Sequence, residues 1–156
     1  MLNKLIKIAL CGLLPLILAA CNPSDASFSE FKDFGPEGWK HRAPVYFVPE
    51  YGDSAACYEL FIAVRYDNDF AFKRLNLAVD LLDSLNNVQR RSVSVPIVNE
   101  HGKRLGSGFG GVYQQRVSLV DNLPAFAVKK IVVWQTVQEN EPLTHLNQLG
   151  VMILKK

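Results

Sequence analysis

Tyr58-Glu59-Leu60-Phe61-Ile62-Ala63-Val64-Arg65-Tyr66 is the stretch that decides the fold. Its even positions are all large and apolar, while the odd positions mix Glu59 and Arg65 with Phe61 and Ala63. A period of two places alternate side chains on one face, so the even set enters a core and the odd set faces outward. The segment predicts a β-strand covered on one side.

The same period continues outward. Leu75, Leu77, Val79 and Leu81 alternate with Asn76, Ala78 and Asp80 and predict a second strand. Leu75, Val79, Leu82 and Leu85 also fit helical spacing, but the neighbouring β pattern favours a strand ending in a turn at Asp83 to Asn87. Val93, Val95 and Ile97 alternate with serines and Pro96, and because a proline cannot donate to a central ladder, this strand is expected to end there or to lie at an edge. The runs 112–120 and 125–137 are rich in β-branched and aromatic residues, with Asp121-Asn122-Leu123-Pro124 as turn chemistry between them, and predict an antiparallel pair. Val45, Phe47 and the terminal 151–154 add outer strands. The expected fold class is all-β: a single antiparallel β-sandwich, jelly-roll or immunoglobulin-like, of about seven or eight strands.

The domain layout follows from the N-terminal end. Lys4 and Lys7 precede an apolar run from Ile8 to Ala20, closed by Leu18-Ala19-Ala20-Cys21. Basic residues, a short apolar stretch and small residues before a cut are the marks of a secretory signal peptide. A cysteine directly after them makes a lipobox. The expectation is therefore a cleaved signal peptide over 1–20, a lipidated Cys21 with a tether over 21–27, and the sandwich over 28–156. At Cys21 the thiolate would take a covalent diacylglycerol and the freed amine an N-acyl chain; no other cofactor is implied. Each buried methylene adds about 0.8 kcal/mol, so two or three chains anchor stably and the mature protein needs no membrane-spanning helix. The outer membrane and the periplasmic face of the inner membrane are both open as its location.

Of 17 Lys plus Arg against 15 Asp plus Glu, two lysines leave with the leader, so the mature chain is formally neutral. Nothing in that balance suggests nucleic acid. Of three cysteines, Cys57 alone stays a free thiol, in a strand-like run that reads as half-buried and inert.

Candidate chemistry is sparse. His41, His101 and His145 lie in separate segments without metal-ligand spacing, so no metal is expected. Asp67-Asn68-Asp69 reads as a turn in preference to a calcium loop. Gly106-Ser107-Gly108-Phe109-Gly110-Gly111 is followed by a strand pattern, not the helix that a phosphate loop needs, so it reads as a flexible connection or a bulged strand entry. Glu139 with Glu141 is a common solvated pattern, and no Gly-x-Ser-x-Gly elbow occurs. The chain is not expected to be an enzyme. Trp39 and Tyr113 are the candidate contacts for a protein partner or a glycan. Trp39 follows Gly35-Pro36-Glu37-Gly38, which suggests an exposed loop, although the indole could equally plug one end of the sandwich.

The layout after the lipobox resembles the gliding-motility lipoprotein GldH family of Bacteroidetes. The likeness rests on Phe31-Lys32-Asp33-Phe34 with Trp39, on 58–70 with its Arg65 and Asp67-Asn68-Asp69, on Phe72-Lys73-Arg74-Leu75-Asn76-Leu77, on the glycine-rich 105–113 and on Leu149-Gly150-Val151-Met152-Ile153. It transfers no catalytic residue. The resemblance implies a non-enzymatic envelope lipoprotein that works through other envelope proteins of gliding machinery and the linked protein-secretion system (type IX). A surface glycan-binding lipoprotein is the alternative that tether, sandwich and aromatics leave open.

Overall fold

The computed structural model describes residues 26–137 and 140–156. The expected leader, Cys21, the first part of the tether and Glu139 lie outside the described residues. Nine strands occur among the described residues: β1 Ala26–Asp33, β2 Val45–Phe47, β3 Cys57–Asp67, β4 Arg74–Leu82, β5 Val88–Pro96, β6 Ser107–Phe109, β7 Val112–Pro124, β8 Lys130–Gln135 and β9 Leu146–Lys155. They form two antiparallel sheets, ordered β1-β9-β3-β7-β6 and β2-β8-β4-β5. The all-β sandwich expected from the alternation is present. Its first strand begins at Ala26, so the last two residues assigned to the tether belong to the sheet.

The core is built as the period of two requires. Tyr58, Leu60, Ile62, Val64 and Tyr66 of β3 are all buried. Facing them from the other sheet are Leu75, Leu77, Val79 and Leu81 of β4 and Ile131 and Val133 of β8. Burying one such side chain contributes about 1.5–3 kcal/mol relative to leaving it in water, so these two layers hold the sheets together. The turn expected after β4 forms as read: the Asp83 carboxylate accepts the amides of Leu85 and Asn87 at 2.8 and 2.9 Å, and Asn86 takes a left-handed φ of 62°. β5 is the edge strand that Pro96 implied.

Three expectations need correction. β7 and β8 do not pair; they lie in different sheets, β7 against β3 and β6, β8 between β2 and β4. Asp121 to Pro124 continue β7, with Pro124 at its last position, where a missing N–H costs least. The chain turns instead beyond Pro124, because Ile131, Val132 and Val133 are all buried and need a central place in the second sheet. The terminal strand is likewise central, with Leu149, Val151 and Ile153 filling the core between β1 and β3. The third concerns Cys57, which opens β3 and is exposed, not half-buried. Two strands were not among the segments expected: β1, and β6, whose Ser-Gly-Phe sequence carries no apolar period.

On the outer face of β4, Asp80 is sheltered by its β5 cross-strand partner Arg90, which donates Nε to Oδ1 at 2.6 Å and its terminal nitrogen to Oδ2 at 2.7 Å. That bidentate pairing holds the Asp80 carboxyl below the usual carboxylate range. The Trp134 indole helps from close by, without reaching hydrogen-bond geometry. A depressed folded-state pKa means stability that is present above the unfolded value of about 3.9 and lost as pH falls through the folded value. Asp80→Asn should therefore lower the thermal midpoint by a few degrees at pH 7 and by less at pH 3; thermal melts at the two pH values check it.

Candidate functional site

The strand directions define two ends. Ala26 opposes Leu154, and Leu154 opposes Glu59, so the chain enters the sandwich at the end where β3 begins. The opposite, distal end gathers the end of β3, the β6–β7 hairpin, the entry to β9 and the exit from β1. The unassigned polar groups and the most exposed aromatic ring meet there.

Asp67-Asn68-Asp69 forms the expected turn: the Asp67 carboxylate accepts the Asp69 amide at 2.8 Å. From 78 residues away, His145 is brought beside it; the Asp67 amide donates to the His145 carbonyl at 3.1 Å, and the His145 Nδ1 lies 3.1 Å from the Asp67 carboxylate. Ligand atoms of Asp67, Asp69 and His145 all fall within 4.8 Å of one another, a grouping that linear spacing could not show. The turn and the β9 entry account for these contacts. Beside them a cleft of about 580 Å³ opens between Asp33, Gly35, Asp67, Thr144, His145 and Asn147. Its polar rim continues onto the outer face of the first sheet, where Arg65 lies 4.1 Å over the Phe31 ring and donates to Gln114 and Gln148.

Trp39 is not a surface contact, which corrects one of the two candidates. It is 2 % exposed, stacks on Phe34 at 4.8 Å with 9° between the rings, and donates its indole N–H to the Ala43 carbonyl at 2.7 Å. Backbone bonds to Leu143 in both directions fasten it across the distal end. Gly38 enables this approach: at φ 72° it brings its α-carbon so near the Leu143 carbonyl that a Cβ would sit 2.4 Å from the oxygen. The plug, not the exposed loop, is what the glycines before Trp39 serve.

Tyr113 is half-buried and stacks on Tyr66 at 5.7 Å. The Tyr66 hydroxyl sits 2.5 Å from the Leu105 carbonyl and 3.1 Å from that of Ile97, and burial pushes its pKa up, so it stays a donor. Arg104 donates to the Asn68 and Phe70 carbonyls, tying the segment before the hairpin to the Asp67 turn. These braces support a feature the sequence reading passed over. Gly110 and Gly111 both have positive φ, 63° and 84°, the pattern of a tight I′ hairpin turn that suits glycine pairs. It joins Phe109 to Val112, and Phe109 stands 97 % exposed with Val112 beside it at 39 %. Neither a flexible connection nor a bulged strand entry, the two expectations for 106–111, pointed to this ring.

Among the described residues no helix is long and apolar enough to cross a membrane. Compared with known protein families, residues 26–153 match the family described as GldH lipoprotein. The chain is 23 % identical over 147 residues to a gliding motility lipoprotein GldH of Flavobacterium johnsoniae, covering 90 % of this chain and 91 % of the relative. It is 24 % identical over 113 residues to a gliding motility lipoprotein GldH homolog of Christiangramia forsetii, covering 71 % and 70 %. No solved structure matches.

Proposed function

The chain belongs to the GldH lipoprotein family, and from that premise we propose that it is a lipid-anchored cell-envelope protein of the gliding-motility type, acting by contact and not by catalysis. The names of its relatives support the motility setting. Leu18-Ala19-Ala20-Cys21 supports acylation at Cys21, with the membrane as one partner. The other partners are envelope proteins of a motility or secretion complex.

The observation that carries the contact reading is Phe109. A phenylalanine at 97 % exposure on a braced turn gains nothing for the fold, whereas aromatic side chains carry much of the energy when they fill a partner's pocket. It stands at the end opposite the tether, where a partner is reached. With Trp39 in the core, the glycan alternative keeps only the half-buried Tyr113 of the two contacts named for it.

A photoreactive phenylalanine analogue at position 109 tests this reading in living cells. Light should join it to a defined envelope protein, and the same analogue at Gln89, on the edge strand near the tether, should not yield that product. Equal labelling from both positions, or none from 109, would speak against a partner at the distal end.

A further inference from the structure

The end that receives the tether carries exposed apolar side chains in its turns. Only five peptide units separate Cys21 from Ala26, and whatever path they take they span at most about 18 Å. The eleven residues of β3 run about 35 Å along the sandwich. With acyl chains on Cys21, the tethered end is held against the membrane while the distal end stands clear of it.

What that end presents fits such a neighbour. Leu85 is 79 % exposed at the β4–β5 turn and Val88 59 % beside it. Phe126, 44 % exposed, caps the β7–β8 connection. The two loops adjoin: Asp83, Asn87 and Val88 line one shallow depression with Ala127 and Val128, and the Lys129 amide donates to the Leu82 carbonyl at 2.7 Å. Phe126 holds a φ of 62°, a conformation that bulky residues rarely take, and is kept outward by the edge-on ring of Tyr51 at 5.4 Å. The Lys129 ammonium lies 4.8 Å over the Phe126 ring, and that of Lys130 4.5 Å over Tyr46.

Aromatic rings beside lysines suit the membrane interface, where the ring enters the acyl boundary and the ammonium reaches headgroup phosphate. The acids of this end are mostly answered from within. Asp53 is paired with Lys155 and Asp121 with Lys156, each at 2.8 Å, and Asp83 caps its own turn, while Glu50 is exposed and the half-buried Glu59 lies in the field of Lys156. We propose that Leu85 and Phe126 insert into the phospholipid bilayer that holds the anchor, with Lys129 and Lys130 on its headgroups. The proposal rests on the Cys21 anchor of the preceding reading and adds the face that touches lipid.

The test uses the full chain, processed in cells, with Cys57→Ser and a nitroxide on Ser84→Cys or on Ser107→Cys, in vesicles of phosphatidylethanolamine and phosphatidylglycerol. A label at 84 should collide with oxygen and be shielded from a water-soluble nickel chelate, and a label at 107 should show the reverse. Adding Phe126→Gly with Leu85→Ser should return the label at 84 to water, without a lower thermal midpoint, because glycine accepts the left-handed φ. If the protein carries its acyl mass and both labels meet nickel equally, lipid docking is wrong while the anchor stands. Shielding at 84 from oxygen as well as nickel means that protein covers this face, which also overturns the proposal. Absence of acyl mass at Cys21 removes the anchor reading, and this inference with it.

Discussion

Trp39→Ala should cost about 3–5 kcal/mol of folding stability, the range for deleting a large buried aromatic side chain. A domain of this size commonly has about 5–15 kcal/mol in total, so the loss should move the urea midpoint far to the left. The number follows from what the side chain touches. Its ring is 2 % exposed and stacked on Phe34, its indole N–H is the donor to Ala43, and its backbone bridges to Leu143. Removing the ring leaves a cavity at the distal end and frees a carbonyl that was satisfied. Trp39→Phe separates these terms: it keeps stacking area and loses the N–H, so it should cost about 1–3 kcal/mol. Urea titrations followed by circular dichroism check both. An alanine variant within about 0.5 kcal/mol of the parent would show that Trp39 does not close the sandwich.

Trp39 also marks where sequence reading stops. The strands at the centre were legible because their even residues, Tyr58 through Tyr66 and Leu75 through Leu81, carry the pattern of a half-covered sheet in their own side chains. Pairing was less legible. Nothing local tells β7 to join β3 while β8 joins β4; that choice is made by how many buried residues each strand must cover, and β8 buries three in a row. Loop side chains were hardest. Glycines before Trp39 suggested an exposed loop, yet they serve a close backbone approach that closes the core. Glycines around Phe109 suggested flexibility, yet they make a tight braced turn that exposes the ring. His145 meets Asp67 across 78 residues, a distance at which spacing carries no information. The proposed anchoring motif is of another kind: Leu18-Ala19-Ala20-Cys21 is proposed as a recognition sequence for processing enzymes, and such a motif is read without any fold.

Phe109→Ser should remove function while sparing the fold. The ring is 97 % exposed, so the change should alter stability by less than about 0.5 kcal/mol. If it fills a pocket on a partner as a central anchor does, the loss is about 2 kcal/mol or more of binding, some thirtyfold in affinity. Gly110 and Gly111 keep the turn in the variant, so the hairpin still forms and only the contact is gone. In the host bacterium, deletion of the gene should reduce colony spreading or secreted protein, and restoring the parent sequence should recover it. The most direct measurement is the same complementation with Phe109→Ser, at a protein level and melting temperature matched to the parent. The account predicts that the variant fails to restore the lost trait; full restoration would contradict the claim that this lipoprotein works through a contact at its distal end.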